Sequence, residues 1–377
     1  MNVFVPNQTG IGETRVALVP AVVKRLAASK LNVAVQSRAG QHAGHDDDHF
    51  RAAGAAIAGG EGWGAADAVL VVRPPAVEQV QQMRAGSILA GMLAPDRNPE
   101  LADAAARQGV SALALEYLPR ITRAQGMDAL SSQGNLAGYK AVVLAAERSP
   151  KIFPMLMTAA GTIQPAKVLV IGAGVAGLQA IATARRLGAV VTAYDVRPTV
   201  KEQVQSVGAK FLELPLGTTG AQDGGGYAKE LSAEQQQKQR ELMSQAVIES
   251  DVIITTAAVP GKPAPKLIPA NVVAKMPLGS VIIDLAAETG GNCELTRPGE
   301  IIDQHGVTIV GLTNLPATVP FHASQVYATN LANLLKLIVT KEGAAHLDRS
   351  DEIIAGILLC HGGEVVHPKL KERMSHA

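Results

Sequence analysis

The segment 167–177, together with Asp195, constrains the fold of this chain more than any other feature. Residues 168–171 form a short continuous apolar run, which predicts a strand buried on both faces of a parallel sheet. The pattern G-x-G-x-x-G follows at once, and a helical pattern over 178–187 and a strand pattern at Val190–Tyr194 come after it. This order predicts a Rossmann domain that binds a dinucleotide, with a purely structural glycine turn as the alternative.

Each glycine of this turn has its own expected role. Gly172 permits the tight turn, Gly174 lets the backbone approach a pyrophosphate, and Gly177 lets the helix pack closely on the strand. The pyrophosphate is expected on the NH groups at the helix start, where Val175 and Ala176 lie.

Asp195 indicates which dinucleotide binds. A carboxylate at the end of the second strand accepts hydrogen bonds from the adenosine ribose and repels a 2′-phosphate, which favours NAD(H) over NADP(H). Val196 and Arg197 follow directly and are expected to contact the same end of the nucleotide. Arg197 leaves alternatives open, because it could host a 2′-phosphate, pair with Asp195 or lie on the surface.

Composition excludes several classes of function. A net charge of +1 without a basic cluster, and only 3% aromatic residues, argue against nucleic acid as a partner. Cys293 and Cys360 form no metal or redox motif, which indicates free thiols in a reducing cytoplasm. The start of the chain predicts a strand rather than a secretory signal, and no apolar run reaches the ~20 residues that span a bilayer.

Strand and helix patterns alternate along residues 1–130, which predicts a parallel α/β layer without a glycine fingerprint of its own. The expected strands are 2–5, 33–36, 68–72, 87–90 and 110–115, and the expected helices are 20–29, 46–56, 76–84 and 98–108. A long helix over 131–147, capped by Ser131 or Ser132, is expected to lead into the Rossmann domain, and a helix over 323–340 to lead back.

Further Rossmann strands are expected at 210–214, 252–256, 281–284 and 307–310. The predicted fold class is therefore α/β, with two Rossmann-like, doubly wound parallel-sheet domains joined by long helices around a cleft. The first domain would comprise residues 1–131 plus 321–377, and the NAD-binding domain residues 132–320. The ligand is expected at the carboxyl ends of the Rossmann strands, facing that cleft.

A polar, glycine-rich stretch beginning at residue 216 interrupts the Rossmann rhythm. Loops this long are usually functional, so a mobile loop over about 216–231 is predicted, with a passive surface loop as the alternative. Gly226 and Tyr227 are expected to close over the nucleotide. Gln239, in the glutamine-rich helix 232–248, is a further candidate contact.

Histidines and aspartates cluster between residues 42 and 49. His42, His45 and His49 could share one helical face as metal ligands. A solvated helix start, with acidic residues favourable at its N-terminus, is the simpler interpretation, and no metal site is predicted.

Long sequence blocks at 120–140, 153–162, 194–198, 257–265 and 284–292 carry a family resemblance. They include Arg-Ile-Thr-Arg-Ala-Gln-Gly-Met-Asp from residue 120 and Asp-Leu-Ala-Ala-Glu-Thr-Gly-Gly-Asn from residue 284. Over nearly its whole length the chain resembles the NAD(H)-binding α subunit of proton-translocating NAD(P) transhydrogenases, in the form where this component is a separate polypeptide. That family shares its fold with the alanine dehydrogenases.

The resemblance implies roles for four residues at the entry to the linking helix. Gln125 and Asp128 would position the nicotinamide and its ribose, Arg120 would orient the carboxamide and balance Asp128, and Ser131 would bond near phosphate or ribose. A surface Arg–Asp pair and a helix-capping serine are the plain alternatives. Ala258 would lie where Rossmann backbones pass beneath the nicotinamide end.

The resemblance also implies an activity and partners. This chain would be an oxidoreductase and translocase component of the Re/Si-specific type. It would bind NAD(H), pass a hydride directly to NADP⁺ and be inactive in net redox chemistry alone. Only one dinucleotide fingerprint is present, so NADP(H) and the proton channel would belong to a membrane-embedded partner subunit. A homodimer, peripheral on the inner face of the cytoplasmic membrane, is expected.

The main alternative is an NAD-dependent amino-acid dehydrogenase like alanine dehydrogenase, and a nucleotide-binding regulatory protein is a more distant one. A dehydrogenase of that kind needs a positive clamp and a general acid/base beside the nicotinamide. Arg15 has a counterpart in alanine dehydrogenases, but the expected lysine is Arg73 here, and residues 90–95 lack the expected histidine. Arg15 is therefore predicted to hold the first strand–helix turn.

Overall fold

The computed structural model describes residues 1–10, 12–214, 232–258, 262–340 and 342–375. The chain divides into two compact units: unit 1 comprises Met1–Gln133 with Pro316–Ala377, and unit 2 comprises Gly134–Leu315. The boundaries predicted from sequence were 131/132 and 320/321. Each unit contains a mainly parallel sheet with helices, which confirms the predicted α/β class.

Unit 1 is built from alternating strands and helices. Its strands are β1 (Asn2–Val5), β2 (Asn32–Gln36), β3 (Ala56–Ala58), β4 (Ala68–Val71), β5 (Ile88–Gly91) and β6 (Ser111–Ala114). Its helices over the same stretch are α1 (Pro20–Ala28), α2 (Asp47–Ala52), α3 (Gly62–Ala65), α4 (Val77–Gln81) and α5 (Pro99–Arg107). Helix α6 (Ala129–Arg148) begins in unit 1 and ends in unit 2.

Unit 2 contains the seven-stranded sheet and the glycine turn. Its strands are β7 (Leu156–Thr158), β8 (Gly161–Ile163), β9 (Lys167–Ile171), β10 (Val190–Tyr194), β11 (Lys210–Phe211), β12 (Val252–Thr255), β13 (Val281–Asp284), β14 (Ile301–Gln304) and β15 (Val307–Val310). Its helices are α7 (Val175–Arg186), α8 (Lys201–Ser206), α9 (Ala233–Ile248) and α10 (Ala270–Val273). The chain then completes unit 1 with α11 (Pro320–Ile338), α12 (Glu352–Ile357), β16 (Leu358–His361), β17 (Glu364–Val365) and α13 (Pro368–Ser375).

Both large sheets have Rossmann-like strand order. In unit 1 the order is β17-β16-β6-β5-β4-β1-β2-β3, with β1 to β6 parallel. In unit 2 it is β11-β10-β9-β12-β13-β15-β14, parallel except for β14. Chain order therefore reverses at the neighbouring strands β9 and β12, and ligands of open α/β sheets bind outside the carboxyl ends of strands at such a switch point.

Central strands consist mainly of apolar residues because helices cover both faces of each sheet. All four residues of β4, β12 and β13 are buried. In unit 1, α11 buries Leu331, Leu334 and Leu335 on one face of the sheet. The hydroxyl of Tyr327, on the same helix, donates to Val71 O at 2.7 Å, so its burial leaves no unpaired donor.

Three local predictions are wrong. The predicted helix 46–56 ends at Ala52, because Gly54 adopts φ +95°, and β3 then pairs with β2. The predicted strand 210–214 is only two residues long. Neither Ser131 nor Ser132 caps α6, since the helix begins at Ala129 and the Asp128 side chain accepts from Ser131 N at 2.8 Å.

The sequence patterns also missed short antiparallel pairs: β7–β8, β14–β15 and β16–β17. The β14–β15 turn consists of His305 and Gly306, both with positive φ, as in the tight turns that suit a hairpin. Of the helices in the described residues, none has the length and hydropathy needed to cross a membrane.

Candidate nucleotide-binding site

The glycine turn of unit 2 joins β9 to α7. Gly172 has φ +98°, a conformation that disfavours any residue with a Cβ, and its N–H donates to Tyr194 O at 2.8 Å. Gly174 is the N-cap residue of α7 and has an extended backbone. Because glycine has no side chain, it makes no capping hydrogen bond. Binding of an anion by the first N–H groups of α7 stays a prediction.

The three glycines differ in what surrounds them. A Cβ on Gly177 would lie 1.9 Å from Gly172 O, so the start of α7 can approach the turn only without a side chain there. A Cβ on Gly174 would meet no atom within 4 Å. That open space fits the predicted pyrophosphate.

Gly138 is a contributor that sequence reasoning missed. It lies within α6, where a Cβ would come 2.1 Å from Ala176 O, so the helix packs directly on the turn. Glycine inside a helix costs about 1 kcal/mol relative to alanine, which was the available signal that close packing requires it.

Asp195 lies just beyond β10, buried against the glycine turn. One carboxylate oxygen, Oδ2, accepts from Ala173 N at 2.7 Å and from the Arg197 guanidinium at 2.8 Å. The other, Oδ1, accepts from Arg197 N and Nε, both at 2.9 Å. Among the alternatives left open for Arg197, the structure shows the pair with Asp195. Because a carboxylate has about four acceptor sites, a ribose hydroxyl would compete with Arg197 for Asp195.

The end of β12 meets the same turn. Thr256 Oγ1 donates to Gly172 O at 3.1 Å, and Ala257 is held on both sides by the Asn292 amide. Ala258, the predicted neighbour of the nicotinamide end, is exposed. Thr256 and Asn292 lie inside or beside the resemblance blocks, but no local pattern identified them as parts of the site.

In unit 1 the four candidate residues lie around the start of α6. Gln125 is exposed on a 3-10 helix, Thr122–Met127, and Arg120 is exposed just before it. Both Asp128 carboxylate oxygens accept from Ser131, one from its N–H and one from its hydroxyl. The structure thus brings Asp128 and Ser131 together, while the expected balance between Arg120 and Asp128 stays a prediction.

The 3-10 helix is fixed from α11. The side-chain amides of Asn330 and Asn333 donate to Gly126 O at 3.0 and 2.8 Å. Gln125 is therefore an exposed side chain on a backbone that two asparagines hold, an arrangement suited to positioning a ligand group.

The remaining candidates have varied surroundings. Val175 is exposed, whereas Ala176 and Val196 are half-buried. Gln239 is buried and donates to the Tyr194 hydroxyl at 2.8 Å, so a direct contact with nucleotide stays a prediction. Gly226 and Tyr227, like the whole predicted loop 216–231, lie outside the described residues.

The histidine–aspartate cluster forms a helix start. Asp46 is the N-cap of α2, accepting from His49 N at 2.9 Å, and His49 reaches back to the Asp46 backbone. Burial lowers the pKa of His45 below its ordinary value. Within the described part of the chain, no group of three or more His, Cys, Asp or Glu side chains is arranged to hold a metal ion.

Two family descriptions match the chain almost end to end. Residues 4–137 match the N-terminal domain of alanine dehydrogenase/PNT, and residues 141–368 match the C-terminal domain. The chain belongs to the alanine dehydrogenase/PNT family. The family resemblance inferred from the sequence, including the resemblance to transhydrogenase subunits, is thereby confirmed.

Three members of the alanine dehydrogenase/PNT family show where the chain lies within it. It is 46% identical to the separate first polypeptide of NAD(P) transhydrogenase subunit alpha of Rhodospirillum rubrum, over 98% of this chain and 99% of the relative. It is 40% identical to a transhydrogenase of known structure from Sinorhizobium meliloti, with a TM-score of 0.86. That match covers 98% of this chain and 100% of the other. An L-alanine dehydrogenase structure is 26% identical, with a TM-score of 0.81. That match covers 100% of this chain and 99% of the other.

Arg15 is engaged in contacts within unit 1. Its guanidinium is buried, pairs with both carboxylate oxygens of Glu13 at 2.8 and 2.7 Å, and donates to Gln133 Oε1 at 2.8 Å. These contacts lie within unit 1. They pair the positive charge of Arg15 with Glu13, whereas a substrate carboxylate would require that charge for itself. They favour the structural role predicted for Arg15.

Proposed function

We propose that this chain is the NAD(H)-binding component of a proton-translocating transhydrogenase. In this proposal it holds NADH while a hydride passes directly to NADP⁺ on a partner subunit. The observation that carries the proposal is the turn 172–177, which has open space at Gly174 and whose Ala173 N–H donates to the buried Asp195 carboxylate. Family membership, with its higher identity to transhydrogenase subunits, supports the choice of reaction.

Unit 2 residues would hold the adenosine end and the pyrophosphate. The N–H groups at the start of α7, which follow the open position at Gly174, would bind the pyrophosphate. Asp195 would accept from the ribose hydroxyls in competition with Arg197. A negative carboxylate repels a 2′-phosphate, so NAD(H) is the expected ligand. Bound NADH would supply the hydride.

Unit 1 residues would orient the reacting end. Direct hydride transfer requires aligned rings and excluded water, and it needs no general acid/base in the protein. Gln125 and Asp128 are the proposed positioning residues for nicotinamide and ribose, with Arg120 on the carboxamide and Ser131 near phosphate or ribose. The contact between Asp128 and Ser131 supports this assignment, because it fixes both side chains before a ligand binds.

We further propose that Gly226 and Tyr227 close over the bound nucleotide, and that Gln239 supports the nucleotide region through Tyr194. The support for Gln239 is its bond to the last residue of β10, next to Asp195. The support for the loop is its length and glycine content.

A homodimer is the proposed assembly, and a surface feature of unit 2 supports it. The β7–β8 hairpin exposes Met155, Leu156, Met157 and Ile163. Contiguous exposed apolar side chains of this kind are typical of protein–protein contacts. We propose that the membrane partner carries NADP(H) and the proton channel, and that this chain is peripheral on the inner face of the cytoplasmic membrane.

Titration and mixing test the proposed function. The purified chain should bind NADH in preference to NADPH, followed by nucleotide fluorescence. Hydride exchange between NADH and an oxidised nucleotide analogue should begin only when the separately prepared NADP(H)-binding domain of a transhydrogenase is added with NADP⁺. Turnover by the chain alone with alanine, or with pyruvate and ammonia, would instead establish an amino-acid dehydrogenase. Absence of NADH binding would refute both assignments.

A further inference from the structure

The backbone of Ala257 is held by one buried side chain. Ala257 N donates to Asn292 Oδ1 at 3.1 Å, and Asn292 Nδ2 donates back to Ala257 O at 2.8 Å. The same Nδ2 donates to Pro265 O at 2.9 Å. A single amide therefore fixes both polar groups of the residue that precedes Ala258, and it ties that residue to a second segment of the loop.

Asn292 is itself anchored from β13. The buried Asp284 carboxylate accepts from Thr255 Oγ1, Ala286 N, Cys293 N and Thr296 Oγ1, at 2.6 to 3.1 Å. Two of these donors, Cys293 N and Thr296 Oγ1, lie one and four residues beyond Asn292, so Asp284 fixes the segment that follows it.

The backbone carbonyl of Asn292 adds two more contacts. It accepts from Leu267 N at 2.8 Å and from Ile268 N at 3.0 Å. The side chain is completely buried. A group fixed on so many sides has one orientation, and its amide can act as a rigid template for the backbone it holds.

This network reaches the glycine turn. Thr256 N donates to Ile171 O at 2.8 Å, and Thr256 Oγ1 donates to Gly172 O. The carboxyl ends of β9, β12 and β13 are thus joined by hydrogen bonds at the topological switch point, where ligands of this fold class bind.

We propose that Asn292 is a positioning residue for the nicotinamide end of NADH, acting through the backbone of Ala257 and Ala258. The inference rests on the proposed function and deepens it, because it assigns the geometry of one end of the ligand to a residue that need not touch it. The adenosine end depends on Asp195 and the glycine turn, which Asn292 does not contact directly.

The chemistry explains why an asparagine is required. The carbonyls of Ala257 and Pro265 need a donor, and Ala257 N needs an acceptor. A primary amide supplies both from one planar group. Aspartate has the same shape but cannot donate, so its charge would face the Ala257 and Pro265 carbonyls. Alanine would leave all three backbone groups without their partner in a buried position.

The test compares two ligands on the full chain. Dissociation constants for NADH and for ADP-ribose, which lacks only the nicotinamide ring, are measured by calorimetry for wild type, Asn292→Ala and Asn292→Asp. Asn271→Asp adds the same charge at an exposed position on α10 and is the matched control. Thermal midpoints and circular dichroism report folding of each variant.

A positioning role predicts that both Asn292 variants weaken NADH binding by about tenfold or more and ADP-ribose binding by less than about twofold. The control should resemble wild type for both ligands. Equal weakening of both ligands, or no weakening of NADH, would overturn the inference while leaving the proposed function intact. Failure of wild type to bind NADH would refute the proposed function itself, and the inference with it. If Asn292→Ala does not fold, the isosteric Asn292→Asp decides the question by the same ratio.

Discussion

At the scale of single residues, Asp195 shows how a predicted ligand contact is already engaged within the protein. Its two carboxylate oxygens accept four hydrogen bonds, three of them from Arg197. The charge that should repel a 2′-phosphate is therefore partly neutralised by the neighbour that could attract one. Selectivity for NADH should depend on both residues, in opposite directions.

Replacing each partner separately tests this balance. Asp195→Asn should weaken NADH binding about tenfold and reduce the preference over NADPH, because the ribose loses a charged acceptor and the repulsion of a phosphate is lost. Arg197→Ala should retain or strengthen NADH binding and increase the preference. Fluorescence titrations with both nucleotides measure this, and the same direction of change in the two variants would contradict the competition.

Gln125 offers a second test at this scale, on the reaction rather than on binding. Gln125→Asn shortens an exposed side chain by one methylene on a backbone that α11 holds. Hydride transfer in the mixed system should slow about tenfold or more with less than about twofold loss of NADH affinity, because geometry changes more than contact area. Gln82→Asn, at an exposed position elsewhere in unit 1, is the control. Equal losses in rate and affinity would assign Gln125 to binding alone.

At the scale of elements, the β9–α7 turn contains a glycine that close packing requires and another that is proposed to face the ligand. Gly177 allows the start of α7 to approach Gly172 O, whereas Gly174 faces open space. The sequence predicted the packing role of Gly177, and the role of Gly174 toward a ligand stays a prediction.

Two alanine substitutions should therefore fail in different ways. Gly177→Ala forces a backbone shift, which costs roughly 1–3 kcal/mol and should lower the thermal midpoint by several degrees. Gly174→Ala should keep a thermal midpoint close to wild type but weaken NADH binding about tenfold or more, because its Cβ occupies the proposed pyrophosphate position. Calorimetry of both variants with and without NADH measures this. A loss of stability in Gly174→Ala equal to that in Gly177→Ala would remove the distinction.

The β7–β8 hairpin is the second element with a testable role. Met157, the middle residue of β7, is 78% exposed. Met157→Glu should increase the dissociation constant of the homodimer about tenfold or more, because an unpaired charge would be buried at the contact. Analytical ultracentrifugation over a range of concentrations measures it. Leu278→Glu, at an 82% exposed position elsewhere in unit 2, should leave assembly unchanged. Dissociation by the control and not by Met157→Glu would place the interface elsewhere.

At the scale of the whole molecule, the two units have similar sheets but separate hydrophobic cores. Each unit also carries one buried cysteine: Cys360 in unit 1 and Cys293 in unit 2. Burial raises the pKa of each thiol to about 11. The thiolate is the reactive form, so at neutral pH both thiols should react only when their unit opens.

Thiol labelling can therefore report which unit NADH stabilises. At about 100 times its dissociation constant, NADH should slow labelling of Cys293 roughly 100-fold, because ligand binding stabilises the closed form by about 2.7 kcal/mol. Labelling of Cys360 should change little. Cys360→Ser and Cys293→Ser variants let each thiol be followed alone in urea well below the unfolding midpoint. Equal protection of both thiols would show that the two units open together.

Local patterns were enough to predict the central strands and the glycine turn. Val190–Tyr194 and Val281–Asp284 have the predicted bounds, because strands in the middle of a parallel sheet consist mainly of apolar residues. Short pairs such as β16–β17 carry no such pattern, since their stability comes from the edge of a sheet built elsewhere in the chain.

The sequence by itself determined the fold class, the family and the dinucleotide fingerprint with its acidic partner, because each depends on residues near one another along the chain. Only the tertiary structure decided that Gly138 packs against the turn and that Asn292 holds Ala257 across 35 residues. Contacts of this kind depend on where distant segments meet, and no local periodicity records them.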